Sequence, residues 1–175
     1  MTRRRIAAMA VVVVLAGLTL WGLGLLIRTL PEGYTVIDLT AEEGGRELLR
    51  AVLRDGERVT LSWRNSQFGL NVTEGYFTRG GMLIQDQVTF ALPGGPPPAR
   101  VSPGEVADLF HTGGPFDARG LNRPFSRIVF RVGEIGNPKM EAGGRTVYFK
   151  GEAGFGGRVI LAVSRAGLWD RLFSR

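Results

Sequence analysis

Two hydrophobic patterns divide this chain. From Ile6 to Ile27 apolar residues follow one another without a charge. At 1.5 Å of rise per residue such a run covers a hydrocarbon core of about 30 Å, so residues 1–30 are expected to form one N-terminal transmembrane helix. The run is too long for the apolar region of a cleavable leader, and Trp21-Gly22-Leu23-Gly24-Leu25-Leu26-Ile27 offers no small-x-small cleavage site, so the helix is read as a retained signal anchor. After Pro31 the pattern changes to alternation with period two, the signature of half-buried strands. In Arg58-Val59-Thr60-Leu61-Ser62-Trp63-Arg64 the residues Val59, Leu61 and Trp63 share one face. Asn71 to Arg79 and Met82 to Phe90 are two more strands, joined by Gly80-Gly81, a pair that accepts the positive φ of a tight hairpin turn.

Further strands are expected at Arg127 to Val132, Thr146 to Lys150 and Arg158 to Val163, the last apolar enough to be central. Leu92 to Pro98, with its Pro-Gly-Gly-Pro-Pro-Pro core, cannot donate to a sheet ladder and reads as a long loop. Ser102 as cap with Pro103 at the first position predicts one or two helical turns reaching Phe110. Glu42 to Leu53 fits a helix through Leu48, Leu49, Val52 and Leu53, and fits a strand as well. The fold class is therefore mainly β: a single antiparallel β-sandwich or barrel-like domain over residues 34–165, preceded by the membrane helix. Residues 166–175 form a short amphipathic C-terminal helix, with Leu168, Trp169, Leu172 and Phe173 on its apolar face. That face suits a membrane surface or a partner as well as it suits simple coverage of the domain.

The net charge of +6 over 175 residues would ordinarily raise nucleic acid as a partner. Its distribution argues otherwise. Arg3, Arg4, Arg5 and Arg28 flank the apolar run, Arg171 and Arg175 lie in the tail, and between Tyr34 and Arg165 there are 16 basic and 14 acidic residues. No basic run interleaved with aromatics remains to track a phosphate backbone. The arginine cluster before the apolar run instead orients it, placing the N-terminus in the cytoplasm and the β-domain outside the membrane.

The chain has no cysteine and one histidine, His111. Thiolate ligands, disulfides and a cysteine nucleophile are excluded, and neither a histidine-rich metal site nor a Ser-His-Asp relay is easily built. His111 reads as a surface residue. Gly151 to Gly157 follows a strand without opening a helix and lacks the lysine of a phosphate loop, so it reads as a hairpin turn. The densest polar group near a strand end is Asn65-Ser66-Gln67, followed by Glu74. Ser66 has no general base beside it in the sequence, which argues against a nucleophile. Asn65, Ser66 and Glu74 fit a polar binding surface, or else a turn with Glu74 paired to a nearby arginine. No catalytic residue, metal or cofactor is expected.

Leu61-Ser62-Trp63-Arg64-Asn65-Ser66 with Glu74-Gly75-Tyr76-Phe77, and Gly120-Leu121-Asn122-Arg123-Pro124-Phe125 leading to Ile128-Val129-Phe130-Arg131-Val132-Gly133, resemble a bacterial family of small membrane-anchored proteins, a domain of unknown function encoded beside TAXI-type TRAP transporter permeases. The resemblance covers roughly Arg58 to Arg165. It implies a non-enzymatic accessory component of such a transporter, docking on its permease or on the TAXI solute-binding protein. A free-standing envelope domain that binds a ligand or the cell wall is the alternative. Asn65 stands where that family has His, and Gly136-Asn137-Pro138 replaces its Thr-Asp-His-like turn, so histidine chemistry is not carried over. Ser66, Glu74, Asn122 and Arg123 are, and with Asn65 they make up the candidate surface.

Overall fold

A computed structural model describes residues 15–22, 33–167 and 170. Residues 15–22 are helical (α1) and belong to a different unit from the domain that begins at Gly33. Leu15, Leu18, Leu20 and Trp21 of α1 are all exposed. Among the described residues no helix is long and apolar enough to cross a membrane, and most of the expected span from Ile6 to Ile27 lies outside them.

The domain is mainly β and consists of two sheets with few helices. In chain order the strands are β1 (Tyr34–Ala41), β2 (Glu47–Arg54), β3 (Arg58–Arg64), β4 (Asn71–Arg79), β5 (Met82–Ala91), β6 (Arg100–Val101), β7 (Phe116–Phe125), β8 (Arg127–Arg131), β9 (Lys139–Ala142), β10 (Arg145–Tyr148) and β11 (Arg158–Arg165). One sheet has the order β2-β1-β11-β8 and the other β10-β9-β3-β4-β5-β7-β6. Every pairing is antiparallel except the two-residue β6 against β7.

Alternation decides which face each strand buries. Ile37 and Leu39 of β1, Leu49 and Leu53 of β2, and Val159 and Leu161 of β11 point from the smaller sheet into a core shared with Val59, Leu61, Tyr76 and Met140 of the larger one. Each of these side chains, taken fully out of water, contributes about 1.5–3 kcal/mol. The outer part of the larger sheet extends past this core and makes a second one. There Val72, Val88, Phe90, Phe116 and Ala118 are covered by α2 (Val106–Thr112) through Val106 and Leu109. Phe90 stacks on Phe116 at 4.8 Å between centroids, with Phe110 edge-on at 5.0 Å from Phe90.

One open local expectation is decided and others are corrected. The ambiguous Glu42 to Leu53 is a short 3₁₀ turn (Glu43–Gly45) followed by β2, because pairing along both β1 and the shared core favours the extended form. The helix after Ser102 begins later, at Val106. Ser102 commits its hydroxyl to Glu105 Oε2 at 2.6 Å in a preceding turn and does not cap the helix. The strand expected to reach Lys150 stops at Tyr148, and Phe149–Ala153 is a single helical turn, α3, occupying part of the glycine-rich stretch read as a hairpin. Its reason is Phe149: the side chain turns fully into the core and rests on Phe130 at 5.3 Å, which ends the strand. Of the expected C-terminal helix, Asp170 is described and helical; it accepts a hydrogen bond from Arg50 at 2.8 Å, while Leu168, Trp169, Leu172 and Phe173 lie outside the described residues.

The two ends of the domain differ. At the entry pole, where the chain arrives at Gly33, a polar latch ties three segments together. Asp55 accepts from the Thr35 hydroxyl at 3.1 Å and from the Gly80 N–H at 2.8 Å, and the Gly81 N–H donates to Thr35 Oγ1 at 3.1 Å. Gly81, with φ +83°, leaves no room for a Cβ, which would sit 2.5 Å from the Arg165 nitrogen. The far pole, one eight-residue strand away or about 25 Å, gathers the end of β3, the end of β8 and the loops beyond them.

Candidate functional site

The far pole carries a cleft of about 380 Å³, lined on one side by Trp63, Arg64, Asn65 and Ser66 and on the other by Arg131 and residues 133–136. Both walls are held by backbone bonds. Where β3 ends, the Asn65 side chain folds back and its Oδ1 accepts from the backbone N–H of Gln67 at 3.0 Å and of Phe68 at 2.9 Å. The Asn65 N–H donates to Leu70 O and its carbonyl accepts from Gly69, which closes the loop on itself. This is the short polar side chain competing for backbone groups that makes Asn a turn residue. On the opposite wall Arg64 N–H donates to Gly136 O at 2.9 Å and Lys150 Nζ to Glu134 O at 2.8 Å. Val132 is bonded through its N–H to Gly157 O and through its carbonyl to Gly156 N–H.

What is left unused inside the cleft is mostly donor. No ion pair among the described residues involves Arg64 or Arg131, and the Ser66 hydroxyl has no hydrogen-bond partner there. Glu134 supplies the single carboxylate. Ser66 has no histidine, lysine or carboxylate bonded to it, and His111 is exposed on α2. Among the described residues no cluster of three or more His, Asp or Glu is placed to hold a metal ion.

The five residues of the expected surface do not come together. Asn65 and Ser66 line the cleft, Asn65 largely as the organiser of its loop. Glu74 lies on the inner face of β4, opposite Leu61 of β3 and Val88 of β5, in the seam between the two cores. Among the described residues it is paired with no arginine. The Tyr76 hydroxyl donates to Glu74 Oε2, and Gln85, 6 % exposed, is the other hydrogen-bonding neighbour. Burial pushes the Glu74 carboxyl up, the bonds from Tyr76 and Gln85 opposing it, and burial beside that carboxylate pushes the Tyr76 phenol up as well.

Asn122 and Arg123 belong to an irregularity in the β5–β7 ladder. Gln85 pairs with Arg123 and Gln87 with Arg119, so Gly120, Leu121 and Asn122 together face Asp86. Gly120 and Asn122 take positive φ, 73° and 51°, which Asn tolerates better than most residues. Asn122 is therefore placed by backbone geometry. Arg123 is exposed and shares the Glu74 face of the sheet through its pairing with Gln85, without reaching ion-pair distance of Glu74.

Sequence reading did not single out Arg131, Glu134, Ile135 or the apolar rim. Ile135, Tyr148 and Phe155 are 60 %, 52 % and 71 % exposed. Leu92 and Phe110 are exposed at the same pole, and among the described residues of the domain Val129 alone of the exposed large apolar side chains lies in mid-strand. The signal available was weak: an apolar residue next to glycine, as in Gly133-Glu134-Ile135-Gly136 and Gly154-Phe155-Gly156, in segments that belong to no strand.

Compared with known protein families, curated proteins and solved structures, the chain matches none.

Proposed function

We propose that this chain is a non-enzymatic, membrane-anchored accessory protein whose β-domain, outside the membrane, docks through its far pole on the permease or the solute-binding subunit of a TAXI-type TRAP transporter. The observation that carries the docking reading is the concentration of Ile135 and Phe155 in loops, and of Tyr148 at the end of β10, opposite the end where the chain enters the domain. Exposed aromatic and aliphatic side chains beside unpaired arginines are the composition of interface centres, and single large apolar residues lodged in a partner's pocket carry most of the energy of such contacts. The choice of transporter follows the sequence resemblance, and the membrane location follows the charge asymmetry around Ile6 to Ile27.

The test is cross-linking and co-purification of the tagged full-length chain from native membranes, with identification of the captured subunits. The permease or its solute-binding subunit is expected with the natural sequence and lost with Ile135→Asp and Phe155→Asp. Capture of neither subunit by the natural sequence, or capture by the two variants equal to that by the natural sequence, overturns the reading.

A second reading, a free-standing envelope domain that binds a small ligand, is favoured by one separate observation: a cleft with two rigid walls and uncommitted donors. Pre-formed clefts of this size, in which a few polar groups converge, are the usual setting of small-molecule sites.

A further inference from the structure

The geometry points to the cleft between Arg64 and Arg131 as a receptor for an oxyanion, the carboxylate or phosphate group of a small molecule; this rests on the second reading above and names its ligand class. Five observations converge. Arg64 and Arg131 arrive from the ends of strands in different sheets, β3 and β8, and line one cleft. Among the described residues neither guanidinium has a carboxylate within ion-pair distance, although Glu134 lines the same cleft. Ser66 adds a hydroxyl with no partner, and Asn65, whose Oδ1 is committed to Gln67 and Phe68, presents only its amide N–H groups as free donors. The opposite wall is tied down through Gly136 and Glu134, so little ordering entropy is lost on binding. Trp63, partly buried against both cores, gives the cleft a rigid apolar floor.

Guanidinium pairs are suited to oxyanions because each can present two parallel N–H donors to two oxygens, and such charge-assisted bonds are about twice as strong as neutral ones. Glu134 gives the proposal a signed consequence. Its carboxylate lines the same cleft without pairing to either arginine, so it lowers the affinity for any anion, and its removal raises it.

The experiment is isothermal titration of the full-length chain in nanodiscs with three probes: inorganic phosphate, succinate and the neutral isostere succinamide. Saturable binding of phosphate or succinate is expected, whichever is the tighter identifying the oxyanion, with succinamide at least roughly tenfold weaker. Arg64→Gln and Arg131→Gln each weaken the binding roughly tenfold or more, Arg64→Lys weakens it less, and Glu134→Gln tightens it. Both arginines are exposed and unpaired, and unchanged circular dichroism melts confirm that the variants fold. Succinamide binding as well as succinate overturns the oxyanion assignment while leaving a ligand cleft in place. No saturable binding of any probe overturns both. Binding that is the same in all four variants places it elsewhere and overturns the assignment of this cleft.

Discussion

Asp117 is the residue whose removal is expected to loosen the outer half of the larger sheet. It sits on the outer face of β7, 8 % exposed, a position where an isolated carboxylate would be costly. Thr89 Oγ1 and Gln87 Nε2 of the adjoining β5 donate to its Oδ1 at 2.7 and 2.8 Å, Arg119 Nε donates to Oδ2 at 3.0 Å, and Arg100 of β6 stands at 3.9 Å. The carboxylate therefore bridges three adjacent strands. A hydrogen bond to an ionised group contributes about 1.5–3 kcal/mol net. Arg119 and Arg100 are largely exposed, so their pairing is screened and adds little. Asp117→Asn leaves an oxygen that can still accept from Thr89 and Gln87 but removes the charge that strengthens both bonds and the Oδ2 acceptor of Arg119, so it is expected to cost about 1–2 kcal/mol.

Its pH dependence has a definite sign. Burial pushes the carboxyl up, but the bonds from Thr89, Gln87 and Arg119 outweigh burial and hold it below the usual aspartate range. A depressed folded value means that the contribution is complete above the unfolded value of about 3.9 and is lost as the pH falls through the folded one. Guanidinium unfolding of the full-length chain, followed by far-ultraviolet circular dichroism at pH 7 and at pH 3, measures both. The difference between the natural protein and the Asp117→Asn variant should be large at pH 7 and smaller at pH 3. A difference below about 0.5 kcal/mol at pH 7, the level of an ordinary surface change, refutes the bridging role.

Substitutions at four further positions have defined outcomes. Glu74→Gln keeps an acceptor for Tyr76 and removes a carboxyl that burial holds above its unfolded value, so wild-type stability from this group is present in acid and lost as the pH rises; thermal melts should coincide near pH 4 and favour the Gln variant increasingly towards pH 8, and a constant gap would contradict it. Gly113→Ala forces φ +77° on a side chain whose Cβ would stand 2.6 Å from the Phe68 ring, with an expected loss of about 1–3 kcal/mol by denaturant titration. Phe116→Ala removes a fully buried ring stacked on Phe90 and should cost about 3–5 kcal/mol, with exposure of the second core reported by dye binding. Asn65→Ala frees the Gln67 and Phe68 N–H groups and should cost about 0.5–2 kcal/mol, whereas Asn65→Asp, which keeps the acceptor, should cost less.

Period-two alternation made β3, β4 and β5 legible in advance, with the Gly80-Gly81 turn between the last two, because the burial of a strand's face depends on neighbours two residues apart in the chain. The charge asymmetry around Ile6 to Ile27 is local in the same sense. β1 and β7 were not recognised. β7 is interrupted by the Gly120–Asn122 irregularity and presents no clean alternation, whereas β1 alternates from Ile37 to Ala41 and departs from period two only through the buried Val36.

The site divides along the same line. That Asn65 and Ser66 belong to a polar turn after a strand could be read from their order in the chain. Glu74, nine residues from Asn65 and grouped with it by sequence, is carried by strand pairing into the seam between Leu61 and Val88, where it meets Tyr76 and Gln85. Arg131, 67 residues beyond Arg64, comes to the opposite wall of one cleft because β3 and β8 end at the same pole of two packed sheets. Residue type and spacing carry information about one strand and its turn. Which strand ends share a pole depends on sheet order and face-to-face packing, and those arise only when distant segments bury their apolar faces together.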